Sequence, residues 1–95
     1  VPRYPAIVRD LAVIIAATLP ASSVRDTIRA AASATLESVW EFDRYKDKGI
    51  PKGDVSLALR LTFRAKDRTL TDSEVDKTIN EVVVSLKQQH NAKLR

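Results

Sequence analysis

The sequence has no cysteine and no methionine, only two glycines, and a single histidine among its 95 residues. Without cysteine there is neither a disulfide framework nor a thiolate metal site, a composition that fits a reducing compartment. One histidine, His90, cannot build a His-rich metal centre. No apolar run approaches the roughly 20 residues needed to cross a bilayer, so no membrane partner is expected. The opening Val1-Pro2-Arg3-Tyr4-Pro5 lacks the basic-then-apolar order of a secretory signal, and the missing initial methionine reads as a piece cut from a longer chain. Catalytic constellations are equally scarce. There is no nucleophile–base pair and no pair of carboxylates at a useful spacing. "GIPKGD" has glycines and a lysine, but no Gly-Lys-Ser/Thr follows and it does not lead into a helix, so it is not a phosphate loop.

What the chain does have is charge and clean periodicity. Sixteen Lys and Arg against twelve Asp and Glu leave a formal net charge of +4, which points to an anionic partner. The distribution says more than the total. Arg44, Lys46, Lys48 and Lys52 surround one loop, and Arg60, Arg64, Lys66 and Arg68 follow, before Asp72, Glu74, Asp76 and Glu81 open the next segment.

Pro2 and Pro5 predict an extended lead-in. In "RDLAVIIA", Leu11, Val13 and Ile15 share one face, while Asp10, Ala12, Ile14 and Ala16 share the other. Both faces are apolar or small enough for a central strand. "PASSVRDTIRAAASATL" switches to a helical period through Val24, Ile28, Ala31 and Ala32, with Pro20 suited to a first turn; this predicts a helix over residues 20–34. "SVWEFDRYK" returns to strand formers, and "DKGIPKGD" supplies both glycines for a long hairpin loop. In "VSLALRLTFR", Val55, Leu57, Leu59, Leu61 and Phe63 form one apolar face opposite Ser56, Ala58, Arg60 and Thr62. Thr71 and Glu74 have the spacing of a capping box at the head of a second helix. Its inward stripe is Val75, Ile79, Val82 and Leu86, Asn91 is its stop, and His90 is a surface residue near its end. "AKLR" is long enough for a short last strand.

The order is thus β-α-β-β-α-β. Two helices must cover one apolar sheet face, which predicts an α+β ferredoxin-like sandwich: a four-stranded antiparallel sheet, first and third strands central, helices on one side. The other side is left open. With Phe42 in the core, alternation sends Glu41, Asp43 and Tyr45 to that open face, beside Ala12, Ile14, Ser56, Ala58, Arg60 and Thr62. RNA-binding sheets of related topology lay a base on an exposed ring and read its edge with polar groups. A carboxylate repels phosphate, so Asp43 makes sense only as an acceptor from a base edge rich in donors. Guanine offers N1–H and its N2 amino group together. The competing reading is an ordinary solvated face with Asp43 paired to Arg60 or Arg44.

"YPAIVRDLAVII", "EFDRYKDKGIPKGDVSLALRLTFRAKDRTLTDSEVD" and "AKLR" resemble, in order and spacing, the anticodon-binding ferredoxin-fold domain that ends the β subunit of bacterial phenylalanyl-tRNA synthetase. A similar domain ends the single-chain mitochondrial enzyme. The resemblance implies that the chain binds the anticodon stem-loop of tRNA(Phe), whose first anticodon base is a guanine. The stacking tyrosine falls on Tyr45, the guanine-reading aspartate on Asp43, and further contacts on Ser56 and Ala12. It also implies a parent that is a bacterial cytoplasmic α2β2 enzyme, with a mitochondrial origin as the alternative. ATP and magnesium would then act in the α subunit, editing would occur elsewhere in β, and this piece would be non-catalytic with no cofactor of its own. Lys46, Lys48, Lys52 and Arg60, with Arg64 and Arg68, would hold the RNA backbone without reading sequence. Glu41, Arg44, Trp40 and the Asp54-Val55 pair depart from the family's usual pattern, which leaves open a bulge in the second strand. A ferredoxin-like protein-interaction or regulatory module remains the alternative function.

Overall fold

The fold is set by which face of each strand the helices cover. In the computed structural model, which describes residues 3–95, the elements run β1 (Ile7–Ala16), α1 (Ala21–Ala31), β2 (Leu36–Tyr45), β3 (Asp54–Phe63), α2 (Asp72–His90) and β4 (Lys93–Leu94). Pro2 lies outside the described residues. The strands form one sheet in the order β2-β3-β1-β4, and each neighbouring pair is antiparallel. This is the expected ferredoxin-like α+β sandwich.

Alternation in β1 and β3 holds along their full ten-residue pairing, from Ile7 opposite Phe63 to Ala16 opposite Asp54. Leu11, Val13, Ile15, Leu57, Leu59, Leu61 and Phe63 are buried against Val24 and Ile28 of α1 and Val75, Val82 and Leu86 of α2. The core is almost wholly aliphatic. Of the five aromatic residues only Phe63 enters it, the other four being exposed. Burial of these branched chains supplies most of the driving force for folding.

α1 stops at Ala31, three residues short of the predicted limit of 34. It ends where Ala32 turns extended, its N–H still donating to the Ile28 carbonyl. α2 begins as its sequence requires. Thr71 accepts from the Glu74 N–H, the Glu74 carboxylate accepts from the Thr71 N–H, and Asn91 closes the helix in the left-handed region at φ 53°. His90 is partly buried rather than free at the surface, with Nε2 2.7 Å from the Thr27 hydroxyl of α1. The β2–β3 loop uses both glycines at positive φ, 89° at Gly49 and 87° at Gly53, where a side chain would be strained.

Candidate nucleic-acid interface

β2 is where the structure departs from simple alternation, and the departure builds the site. Val39 is buried against the helices, so regular alternation would place Glu41, Asp43 and Tyr45 on that same side. Between Glu41 and Asp43 the register shifts: Glu41 pairs with Leu59, but Asp43 pairs with Ala58. Phe42 and Asp43 together oppose one residue of β3, a β-bulge that reverses the phase of the remaining strand as far as Tyr45. Trp40, Phe42, Asp43 and Tyr45 therefore all lie on the open face. Arg44 turns to the helix side, where its guanidinium donates to the Ala17 carbonyl at 2.7 Å.

Two expectations are corrected here. Phe42 does not face the core; it is exposed and lies under the Arg60 guanidinium, 4.7 Å from ring centroid to guanidinium carbon. Glu41 does not face the open side; its carboxylate accepts from Arg25 of α1 at 3.2 Å. Asp43 and Tyr45 do face the open side, for a different reason from the one alternation gave.

Register places the other site residues in rows across the sheet. Tyr45, Ser56, Ile14 and Lys93 form one row; Asp43, Ala58 and Ala12 form the next, which Arg95 continues by donating its N–H to the Ala12 carbonyl at 2.9 Å. Trp40, Arg60 and Asp10 form a third. Ala58 and Ala12 make a low floor between Asp43 and Arg95. Asp43 and Tyr45 stand about 7 Å apart along the strand, a separation that one nucleobase spans.

The charged groups divide by whether they are already engaged. Arg60 donates to both carboxylate oxygens of Asp10, at 2.8 and 3.0 Å, and this pairing holds the Asp10 carboxyl below the usual carboxylate range. Arg64 is held by Glu37, and Arg68 by Glu74 beside the Thr71 cap. The Lys46 ammonium donates to the Pro51 and Asp54 carbonyls, both at 2.9 Å, and so closes the hairpin loop. Lys48 and Lys52 are exposed on that loop and, among the described residues, enter no ion pair. Nor does Asp43: Arg60 and Arg44, the cations expected to neutralise it on an ordinary solvated face, are both directed elsewhere.

Tyr45 and Ser56 carry the most unusual environments. The Tyr45 ring is 37% exposed and faces the Arg95 guanidinium, whose carbon lies 5.0 Å from the ring centroid and whose Nη1 donates to the phenol oxygen at 2.6 Å. Ser56, its cross-strand neighbour, is on the open face yet fully covered, and its hydroxyl has no hydrogen-bond partner among the described residues. Buried hydroxyls are nearly always paired, so this one is placed to take a partner from outside the chain, an ordered water included.

The sequence reading thus finds Ala12, Asp43, Tyr45, Ser56 and Arg60 gathered on one face, with Lys46, Lys48 and Lys52 on the loop at its end. It passed over Arg95, Asp10 and the outward Phe42. Arg95 enters the site only through the pairing of β4 with β1. The broken alternation from Val39 to Phe42 was the available signal for the bulge.

Among the described residues no helix is long and apolar enough to cross a membrane, and no three His, Cys, Asp or Glu side chains converge as a metal site.

Known proteins carry the same arrangement of sequence. The chain is 42% identical over 94 residues, 99% of its length, to the phenylalanine–tRNA ligase beta subunit of Moorella thermoacetica. It is 45% identical over 87 residues, 92% of its length, to the beta subunit of that ligase from Symbiobacterium thermophilum, and 42% identical over 92 residues to that of Synechococcus sp. strain JA-3-3Ab, 97% of its length. It spans only 12%, 10% and 11% of those three relatives respectively. Residues 2–95 match the ferredoxin-fold anticodon binding domain, so the bulged strand, the open floor and the capped second helix are features of a member of that family, to which this chain belongs.

Proposed function

We propose that the chain is the anticodon-reading domain of a bacterial phenylalanine–tRNA ligase β subunit, and that its open sheet face holds the anticodon stem-loop of tRNA(Phe). In this reading Tyr45 stacks the guanine at the first anticodon position. The Asp43 carboxylate accepts from that guanine's N1–H and N2 amino group, with Ala12 and Ala58 as the floor beneath. Lys48 and Lys52 draw in phosphates without selecting sequence, and Lys46 contributes charge while it holds the loop. The observation that carries this reading is the free Asp43 carboxylate, set two residues from an accessible ring on a face that no helix covers. A carboxylate on a basic domain repels RNA in general, so leaving it unneutralised makes sense where it selects a base.

The domain itself performs no chemistry in this proposal. Its parent, a cytoplasmic enzyme of α and β subunits, would aminoacylate tRNA with ATP and magnesium at a distant site, and the remainder of β and the α subunit are its protein partners. The domain adds affinity through tethering, so its grip in isolation is weaker than its contribution to the whole ligase.

The test is binding of tRNA(Phe) anticodon stem-loops carrying guanine or adenine at the first anticodon position, measured across a salt series. Guanine should bind more tightly at every salt concentration, and Tyr45→Ala should cost about 1–3 kcal/mol. Aminoacylation by the whole ligase bearing the same substitution should fall through KM for tRNA. Equal binding of the two stem-loops would leave a protein-interaction or regulatory module as the better reading.

A further inference from the structure

A tryptophan on the open face has no role in the guanine site. Trp40 is 61% exposed and Phe42 48% exposed, on a chain whose core takes in only one of its aromatic residues. Burying these rings would have stabilised the fold, yet the strand displays both on the uncovered side.

Their setting is ordered. Trp40 lies directly across from Arg60 in the β2–β3 register. Arg60 lies over Phe42 and is held there by two hydrogen bonds to Asp10. With its charge answered by Asp10, this guanidinium is no longer a free clamp for phosphate. It is a fixed planar surface, and guanidinium planes accept bases as aromatic rings do. Trp40 and the guanidinium stacked on Phe42 stand side by side across the β2–β3 pairing, and they border the guanine site because Phe42 and Asp43 are the two residues of one bulge.

We propose that Trp40, Phe42 and Arg60 form a second stacking site, which takes an unpaired nucleobase of the same RNA loop that places a guanine on Tyr45. This rests on the proposed function above and extends its footprint. Trp40 and Tyr45 are five residues apart on a bulged strand, roughly 13–17 Å. The second base is therefore about two nucleotides from the first. Selection at this site is weak, since every base has a flat face and stacking is tolerant of sequence. Its contribution is affinity and the splaying of the loop that delivers guanine to Asp43.

Trp40 is the only tryptophan of the chain, so its fluorescence reports on this site alone. A guanine-containing anticodon stem-loop is titrated into the chain while binding is followed independently by the anisotropy of a label on the stem. Trp40 emission should be quenched by half or more, with the same midpoint as the anisotropy. Trp40→Leu should weaken binding five-fold or more and Trp40→Tyr less than two-fold, with the preference for guanine over adenine preserved in both. Emission that stays unchanged up to the highest stem-loop concentration, or a Leu variant that binds as the parent does, overturns the second site. If Tyr45→Ala still weakens binding in that case, the guanine site stands without it. A blue shift of Trp40 emission in the intact β subunit without RNA, set against the isolated chain, would show that the patch is covered by the rest of the polypeptide and would also overturn the proposal.

Discussion

Arg95 reaches across the alanine floor and donates to the Tyr45 phenol oxygen at 2.6 Å, with its guanidinium set against the tyrosine ring. A third contact, to Asp47 at 3.5 Å, ties it to the hairpin loop. The free chain therefore already has a planar cation against the ring that a base is proposed to use. Stacking exchanges one π contact for another, so the net gain is smaller than for a bare ring. Arg95→Ala removes the competitor and one positive charge together. Those effects separate with salt: the loss of charge matters at low ionic strength, and the loss of competition persists at high. The stem-loop affinity of the variant should be below the parent's in dilute buffer and above it in concentrated salt, with a log–log slope shallower by at most about one. Weaker binding at every salt concentration would identify Arg95 as a direct RNA contact instead of a cover.

Ser56 gives a prediction whose two halves have opposite sign. Its buried, unpartnered hydroxyl weakens the folded state, since the group loses water without gaining a partner. Ser56→Ala should raise the stability of the free chain by about 1 kcal/mol, read from denaturant midpoints at unchanged m value. The same substitution should weaken the stem-loop complex if the hydroxyl takes its partner from the RNA, as the proposed site implies. A variant that is both less stable and unchanged in binding would show that the hydroxyl is satisfied in solution and takes no part in recognition.

Much of this arrangement is legible in the sequence, for reasons that also explain where legibility ends. β1 and β3 are central strands with a strict two-residue period, so a slip of one position would expose five apolar side chains; their faces can be read directly. The Thr71 cap and the Asn91 stop are local hydrogen-bond chemistry and transfer from sequence to structure unchanged. The edge strand is different. Alternation anchored on Phe42 puts Asp43 and Tyr45 on the correct face, but the true anchor is Val39, and a bulge restores the result. A bulge is a property of the pairing between two strands, invisible to a period read along one of them. Arg95 is hidden for the same kind of reason: its place in the site comes from the register of a two-residue strand.

Asp43 should discriminate through particular atoms, and inosine isolates one of them. Inosine keeps the N1–H of guanine but lacks the N2 amino group. In the parent chain, replacing guanine by inosine at the first anticodon position removes one hydrogen bond to an ionised acceptor, a loss of about 1.5–3 kcal/mol. In Asp43→Asn the acceptor is reduced to a single amide oxygen, so guanine binding falls and the guanine–inosine difference should shrink below about 1 kcal/mol. The double-mutant cycle reads the coupling between Asp43 and the N2 amino group directly. A difference that is the same in both proteins would assign Asp43 to the structure of the strand end.

Acid should loosen the fold through two carboxylates outside the proposed guanine site. Glu74 is held below the usual range first by the Thr71 N–H and then by Arg68; Asp10 is held down by Arg60. For a group whose folded pKa lies below its unfolded one, the unfolded chain takes up protons first as pH falls. The stabilisation is complete above the unfolded value, in the usual carboxylate range of about 4, and drains away below it. Both groups are solvent-exposed, so salt should diminish the effect. The melting temperature should be nearly level down to about pH 5 and decline from about pH 4 to pH 3. Glu74→Gln should start lower, through loss of the charged cap, and decline less steeply, while Asp10→Asn should flatten the remaining slope. Asp10→Asn should also free Arg60 from its place over Phe42 and add one net positive charge; with that charge screened at high salt, stem-loop binding should be weaker than the parent's. An Asp10→Asn chain that binds RNA as the parent does at high salt would show that locking the guanidinium plane has no part in recognition.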